Sequence, residues 1–207
     1  MTSVVLESVI TTINLCDTRF VDSPCHVPRV PAPAEIWAAG QTRILEREKT
    51  AFFCSARCPG GVILKSFDAI TAMRDEGRTL IGGFHSPMEW ECLRILLRGK
   101  QPVIWVPARS IAGMRLKPEL RPAFEAGRLL ILSPFEPKFK RSTAALAEER
   151  NRFVAGVAEE LFIPHAAPNS RTLGLARERA AAGQRIATIA DPASGPLLDA
   201  GALPVER

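Results

Sequence analysis

No apolar run in the sequence approaches the roughly 20 residues that carry a helix across a bilayer, so a helical membrane protein is not expected. The opening Met-Thr-Ser-Val-Val-Leu-Glu lacks both the basic start and the apolar stretch of a secretory signal. The five cysteines are an odd number with no export signal, which fits a reducing compartment better than a disulfide framework. The expected location is therefore the cytoplasm. Cys16, Cys25 and His26 match no zinc spacing, and no second ligand pair follows them. Neither a metal nor a cofactor is expected. There is no internal repeat and no low-complexity tract, and no Ser-His-Asp or Cys-His arrangement is supported, so no catalytic residue is assigned.

What is present suits one folded α/β domain. The 207 residues are 46% hydrophobic and 24% charged, enough for one substantial core. Residues 35–207 are read as that domain, and residues 1–34, with prolines crowded into 22–33, as an N-terminal extension or arm. The net charge of +5 is concentrated: residues 109–152 hold ten Lys/Arg against five Asp/Glu, and the remainder balances at 17 against 17. A basic segment inside a folded domain points to a polyanionic partner such as nucleic acid or a nucleotide.

Short β-capable runs at 51–54, 78–81, 102–107, 129–134, 161–164 and 185–190 alternate with helical stretches, closing in one case at Gly77. A further short helix is expected over 115–126. This order predicts a Rossmann-like, mostly parallel sheet with helices on both faces. Ligands of such sheets bind outside the carboxyl ends of the strands.

Three strand-to-helix junctions fall on that rim. In the first, Gly82 and Gly83 supply backbone freedom for a sharp turn and leave room for a ligand. His85 follows, then Ser86 as N-cap, Pro87 at the first helical position and Glu89 three residues on, which is a capping box. Free N–H groups and the helix dipole would favour a phosphate there. The second junction, 55–61, carries Ser55 and Arg57, whose guanidinium suits a phosphate fork. The third is His165 to Thr172. Arg150 and Arg152 cannot share a helix face, so only one of them points into a site. In 135–141, Phe135 and Phe139 interleave with Lys138, Lys140 and Arg141, a pattern that suits single-stranded nucleic acid.

Taken in order, these motifs resemble the core of the DNA-processing protein A family (DprA, also called Smf) over roughly residues 33–203. Pro33-Ala34-Glu35-Ile36-Trp37-Ala38-Ala39-Gly40 is similar to the family's approach segment. Ser55-Ala56-Arg57 stands where the family has Gly-Ser-Arg, and Gly82-Gly83-Phe84-His85 where it has Ser-Gly-Gly-Ala. Arg150-Asn151-Arg152 followed by Phe153-Val154-Ala155-Gly156 is close to its Arg-Asn-Arg-Ile-Ile-Ala-Gly. Asn169-Ser170-Arg171-Thr172 loosely matches its Ser-Gly-x-x-x-Thr loop, and Leu198-Asp199-Ala200-Gly201-Ala202 its ending. The glycine of Gly-Ser-Arg is replaced by Ser55, and the family's Gly-Ile-Asp is absent. The helical and winged-helix domains that often flank the core are also missing, as in a stand-alone member.

The resemblance implies binding of single-stranded DNA, a homodimer, and delivery of the strand to a RecA-type recombinase in DNA uptake or recombination. It implies phosphate contacts from Arg57 and Arg152, and backbone N–H groups lent by Gly82, Gly83 and Ser170. Thr172 belongs to the same loop, and Lys138, Lys140 and Arg141 extend the electrostatic track. Arg150 would instead tie its helix to the core, next to Asn151. The same superfamily includes phosphoribohydrolases similar to the lysine decarboxylase-like proteins. Their Pro-Gly-Gly-x-Gly-Thr-x-x-Glu loop has no counterpart here, because 165–172 contains neither the paired glycines nor the glutamate. A nucleotide-sensing module would share every one of these site residues.

Overall fold

The computed structural model describes Leu6, residues 10–14 and residues 35–205. The proline-rich stretch and Cys16, Cys25 and His26 lie outside the described residues. Among the described residues nine strands form one sheet: β1 (Ile10–Asn14), β2 (Glu35–Ala39), β3 (Lys49–Phe52), β4 (Thr79–Gly82), β5 (Val103–Trp105), β6 (Leu129–Ser133), β7 (Glu160–Phe162), β8 (Arg185–Ile189) and β9 (Leu203–Val205). Their spatial order is β1-β2-β6-β5-β4-β3-β7-β8-β9. Every pairing from β6 to β9 is parallel, while β1–β2 and β2–β6 are antiparallel. The chain is thus a Rossmann-like α/β domain with an antiparallel edge. β1, which falls in the stretch read as an extension, pairs with β2 along its whole length.

The strands read as continuous apolar runs because both faces are covered. Along β6, Leu129 and Ile131 enter one core while Leu130 and Leu132 enter the other, as a two-residue side-chain period requires. Helices α1 (Gly60–Asp75), α2 (Pro87–Leu97) and α3 (Arg121–Glu125) cover the first face. Helices α4 (Ala144–Val157), α5 (Arg171–Ala181) and α6 (Gly195–Leu198) cover the second. Gly77 ends α1 with φ +76°. Its N–H donates to Arg74 and that of Arg78 to Met73, the two bonds of a Schellman turn. No helix among the described residues is long and apolar enough to cross a membrane.

The helix expected over 115–126 is shorter. A 3₁₀ turn at Pro118–Leu120 leads into α3, and Lys117 before it is extended, with φ −62° and ψ 142°. A proline disfavours helical geometry in the residue that precedes it, so Arg115–Lys117 stays in the loop.

Chain order reverses at β3. From there the chain steps outward through β4, β5 and β6, then returns to place β7, β8 and β9 on the other side. The carboxyl ends of β3, β4, β5 and β7 therefore border a crevice.

Candidate functional site

Glu89 organises the turn after β4. Ser86 caps α2 by accepting the Glu89 N–H at 3.2 Å, and Pro87 occupies the first helical position. The Glu89 carboxylate accepts the N–H groups of His85 at 2.9 Å and Ser86 at 3.0 Å on one oxygen. Its other oxygen accepts the Cys54 N–H at the end of β3, at 3.1 Å. The capping box is as the spacing predicts, but the donors at His85 and Ser86 are not free for a ligand. An internal carboxylate holds them. Replacing Glu89 by Gln sets an amide N–H₂ against backbone donors and removes the charge from these bonds. We expect a loss of about 1–3 kcal/mol, read as a lower denaturant midpoint at unchanged slope. An unchanged midpoint would show that the bonds carry no net weight.

The two glycines serve a different purpose from the one expected. Neither takes a positive φ; the left-handed residue of the turn is Phe84, at φ +44°. A Cβ on Gly82 would press on the Phe52 carbonyl at 3.1 Å and the Phe84 ring at 3.2 Å. A Cβ on Gly83 would sit inside the Arg150 guanidinium. The turn is bare so that an arginine from α4 can lie across it.

Arg150 is only 5% exposed. Its Nη1 donates to the Val106 carbonyl at 2.8 Å, and its Nε to the Asn151 side-chain oxygen at 2.7 Å. Burial pushes its pKa down to about 10, against the opposing pull of the Glu89 charge. At neutral pH it remains a cation. No carboxylate among the described residues forms an ion pair with it.

Arg150 lines a cavity of about 580 Å³ at the ends of β4 and β5. Trp90 and Trp105 form an aromatic corner there, edge to face at 5.9 Å. Trp105 is fixed by its Nε1–H, which donates to the Gly83 carbonyl at 3.1 Å. The Lys117 ammonium lies 3.6 Å over the Trp90 ring, and Arg109 adds a further cation to the lining. Among the sequence candidates, Gly83, His85, Ser86 and Arg150 meet in this cavity.

The other candidates are placed around it. Ser55 and Ser170 face each other across the β3–β7 crevice at 3.3 Å. Ser55 also accepts the Ala167 N–H at 3.0 Å, and Ser170 caps α5 by accepting the Leu173 N–H. Thr172 is half-buried in the first turn of α5, and Arg57 is exposed in the loop before α1. Arg152 is exposed on α4, bonded to Glu148 at 2.9 Å and near Glu178 at 3.9 Å. Arg150 and Arg152 do diverge, and the buried one reaches the cavity.

Lys138, Lys140 and Arg141 are exposed on the loop before α4, whose Ser142 lines the cavity. Of the two aromatics of this stretch, Phe135 is not available for stacking and Phe139 is half-buried. Phe135 is buried, packs edge to face on Phe139 at 6.2 Å, and joins Ala108 and Leu146 in a small core. They pin the loop, and Glu136, Lys138, Lys140 and Arg141 are exposed on it, with Lys138 paired to Glu136. Trp90, Trp105, Lys117 and Arg109 were not identified from sequence. Both tryptophans read as core positions, and only the excess of cations over 109–152 pointed to the other two. Among the described residues no group of His, Cys, Asp and Glu is arranged to hold a metal ion.

No protein-family model matches the sequence, and no curated protein matches it. Solved structures do. DNA processing protein A from Helicobacter pylori, which binds single-stranded DNA, superposes with a TM-score of 0.76 at 18% identity, over 96% of this chain and 91% of that one. DNA processing protein A from Streptococcus pneumoniae gives 0.74 at 17% identity, over 97% of this chain and 72% of that one. The chain has a DprA-like fold across nearly its whole length.

Proposed function

We propose that this protein is a DprA-like DNA-processing protein that binds single-stranded DNA at the cavity beside Arg150. The observation that carries the reading is Arg150 itself, a buried cation that forms no ion pair with a carboxylate among the described residues, at the floor of an aromatic-walled pocket. Desolvating such a charge costs several kcal/mol, and a phosphate would supply the missing counter-charge. The half-buried Trp90, backed by the buried Trp105, offers a face to a base, where stacking contributes about 1–3 kcal/mol per base. Arg109 and Lys117 at the cavity, with Lys140 and Arg141 beyond it, continue a track along a sugar-phosphate backbone. Arg57, Ser55 and Ser170 line the neighbouring crevice as a second stretch of the same path. His85 faces the ligand from the turn. Arg152, Lys138, Gly82, Asn151 and Thr172 support the path from outside the cavity.

The role needs no chemistry. Glu89 is committed to three backbone donors, and Glu91 is paired with Arg94. By its family resemblance the protein would act in the cytoplasm as a homodimer, in natural transformation or recombination, passing strands to a RecA-type recombinase.

The test is fluorescence anisotropy of a labelled dT oligonucleotide over a salt series. Binding should weaken linearly on logarithmic axes, with a slope near −0.7 per phosphate neutralised. Lys117→Ala and Arg109→Ala should each make that slope shallower by about 0.7. Absence of binding at low salt, with a thermal shift on adding a mononucleotide, would replace DNA by a nucleotide as the ligand, in a sensor or a phosphoribohydrolase-like enzyme.

A further inference from the structure

The loop between β5 and α3 delivers Arg109 and Lys117 to the cavity, and its two ends are held differently. At Arg109 the ties come from β6 and the loop that follows it. Ser133 Oγ–H donates to the Arg109 carbonyl at 3.0 Å, and the Ser110 N–H donates to the Phe139 carbonyl at 2.8 Å. Near Lys117 the ties to α2 are exposed: Glu119 accepts Trp90 Nε1–H at 3.2 Å and Arg94 Nε–H at 3.1 Å. Exposed ion pairs of this kind contribute little. Just before Lys117, Met114 and Leu116 are buried in the core on the first face of the sheet. There the Met114 carbonyl accepts the N–H of Leu6 at 3.2 Å. Leu6 is fully buried in the same core, four positions before β1. We infer that Leu6 is a positioning residue for the cavity, pinning the loop at Met114 so that the Lys117 ammonium is held over Trp90.

This role rests on the proposed binding function of the cavity, and it gives the N-terminal segment a part in that function. The bond joins two buried residues, and a buried carbonyl that loses its donor pays a desolvation penalty that a solvated one does not. Lys117 follows Met114 by only three residues, a reach of about 10 Å at full extension, so a displacement at Met114 is passed on to Lys117. The Lys117 ammonium lies 3.6 Å from the Trp90 ring centroid, and such an attraction is lost beyond about 6 Å. The anchor is itself backed by the sheet, because β1 pairs with β2 along its whole length and β2 with β6. Arg109 has its own ties to Ser133 and, through Ser110, to Phe139. Leu6 therefore acts on one of the two loop cations and not on the other.

Two variants of the full-length chain break the anchor in different ways. Leu6→Pro removes the N–H, and Leu6→Ala keeps it but removes the packing. In anisotropy of a labelled dT oligonucleotide over a salt series, Leu6→Pro should make the slope shallower by about 0.7, as Lys117→Ala does. Adding Lys117→Ala to Leu6→Pro should change the slope no further, whereas adding Arg109→Ala should remove about another 0.7. Leu6→Met, which refills the site, should keep the wild-type slope. A second measurement needs no ligand. Lys117→Ala uncovers Trp90 and should shift the tryptophan emission; Leu6→Pro should reproduce that shift, and the double variant should add nothing to it. No oligonucleotide binding by the wild type, with the emission pattern intact, would remove DNA as the ligand and leave the positioning role standing. A wild-type slope or an unshifted emission in folded Leu6→Pro overturns the inference, as do additive effects of Leu6→Pro and Lys117→Ala. If Leu6→Pro does not melt cooperatively, Leu6→Ala is held to the same outcomes.

Discussion

Arg150→Met is expected to reduce oligonucleotide affinity at least about 30-fold while leaving the protein folded with nearly unchanged stability. The two effects separate because the guanidinium is expensive where it sits. A buried cation that makes no direct ion pair among the described residues carries a desolvation penalty that the Glu89 charge offsets only in part, and apolar replacements of buried charges are often neutral or stabilising. Methionine fills much of the same volume and adapts to irregular gaps. Against this, the Val106 carbonyl loses its Nη1 donor, a loss of about 1–3 kcal/mol. The two terms oppose each other, so the melting temperature should move by only a few degrees. Binding has no such compensation, since the charge-assisted contact to phosphate is removed. Anisotropy and a thermal melt on the same preparation check both. Wild-type affinity in a folded Arg150→Met protein would move the binding site away from this cavity.

Gly83→Ala should reproduce that loss of affinity without touching a charge. The new methyl group would occupy the space of the guanidinium, and the end of a flexible side chain yields more readily than the turn. Arg150 would leave, giving up its bonds to Val106 and Asn151. The expected destabilisation is about 1–3 kcal/mol, larger than for Arg150→Met because a single methyl group fills only part of the vacated site. In Gly83→Ala/Arg150→Met the two losses of affinity should not add, since both act by removing one group from one place. Additive losses would show that Gly83 contributes to binding by another route.

These variants mark where the sequence was legible. The six parallel strands β3–β8 and the placement of helices on both faces followed from runs and periods, which are local properties. The capping box at Ser86 and Glu89 was equally local. The third task of Glu89, accepting the Cys54 N–H, depends on the β3 end lying beside the turn, and no spacing reveals that. Gly83 was read as giving freedom for a sharp turn and room for a ligand; the neighbour that fills that room, Arg150, is 67 positions away in sequence. Residues 150 and 152 had to diverge, but only burial determines which one enters the cavity. The alternation of Phe135, Lys138, Phe139, Lys140 and Arg141 could be read as a binding surface or as a pinned loop, and no spacing reveals the small core around Leu146 that Phe135 enters. Trp90, Trp105 and Lys117 come from a helix, a strand and a loop, so their meeting is a property of the fold alone.

The tips of the central strands are tied together before any ligand arrives. Glu89 joins the end of β3 to the start of α2, and the Ser55–Ser170 contact joins the β3 loop to the cap of α5. On the proposed reading an incoming strand would meet a floor already tied in place, and the main obstacle in its way would be the Lys117 ammonium resting on Trp90. The face a base would stack on is kept covered by a cation that can transfer to the phosphate of the nucleotide displacing it. Encounter would then be governed by charge and diffusion, and the lifetime of the complex by how quickly Lys117 returns.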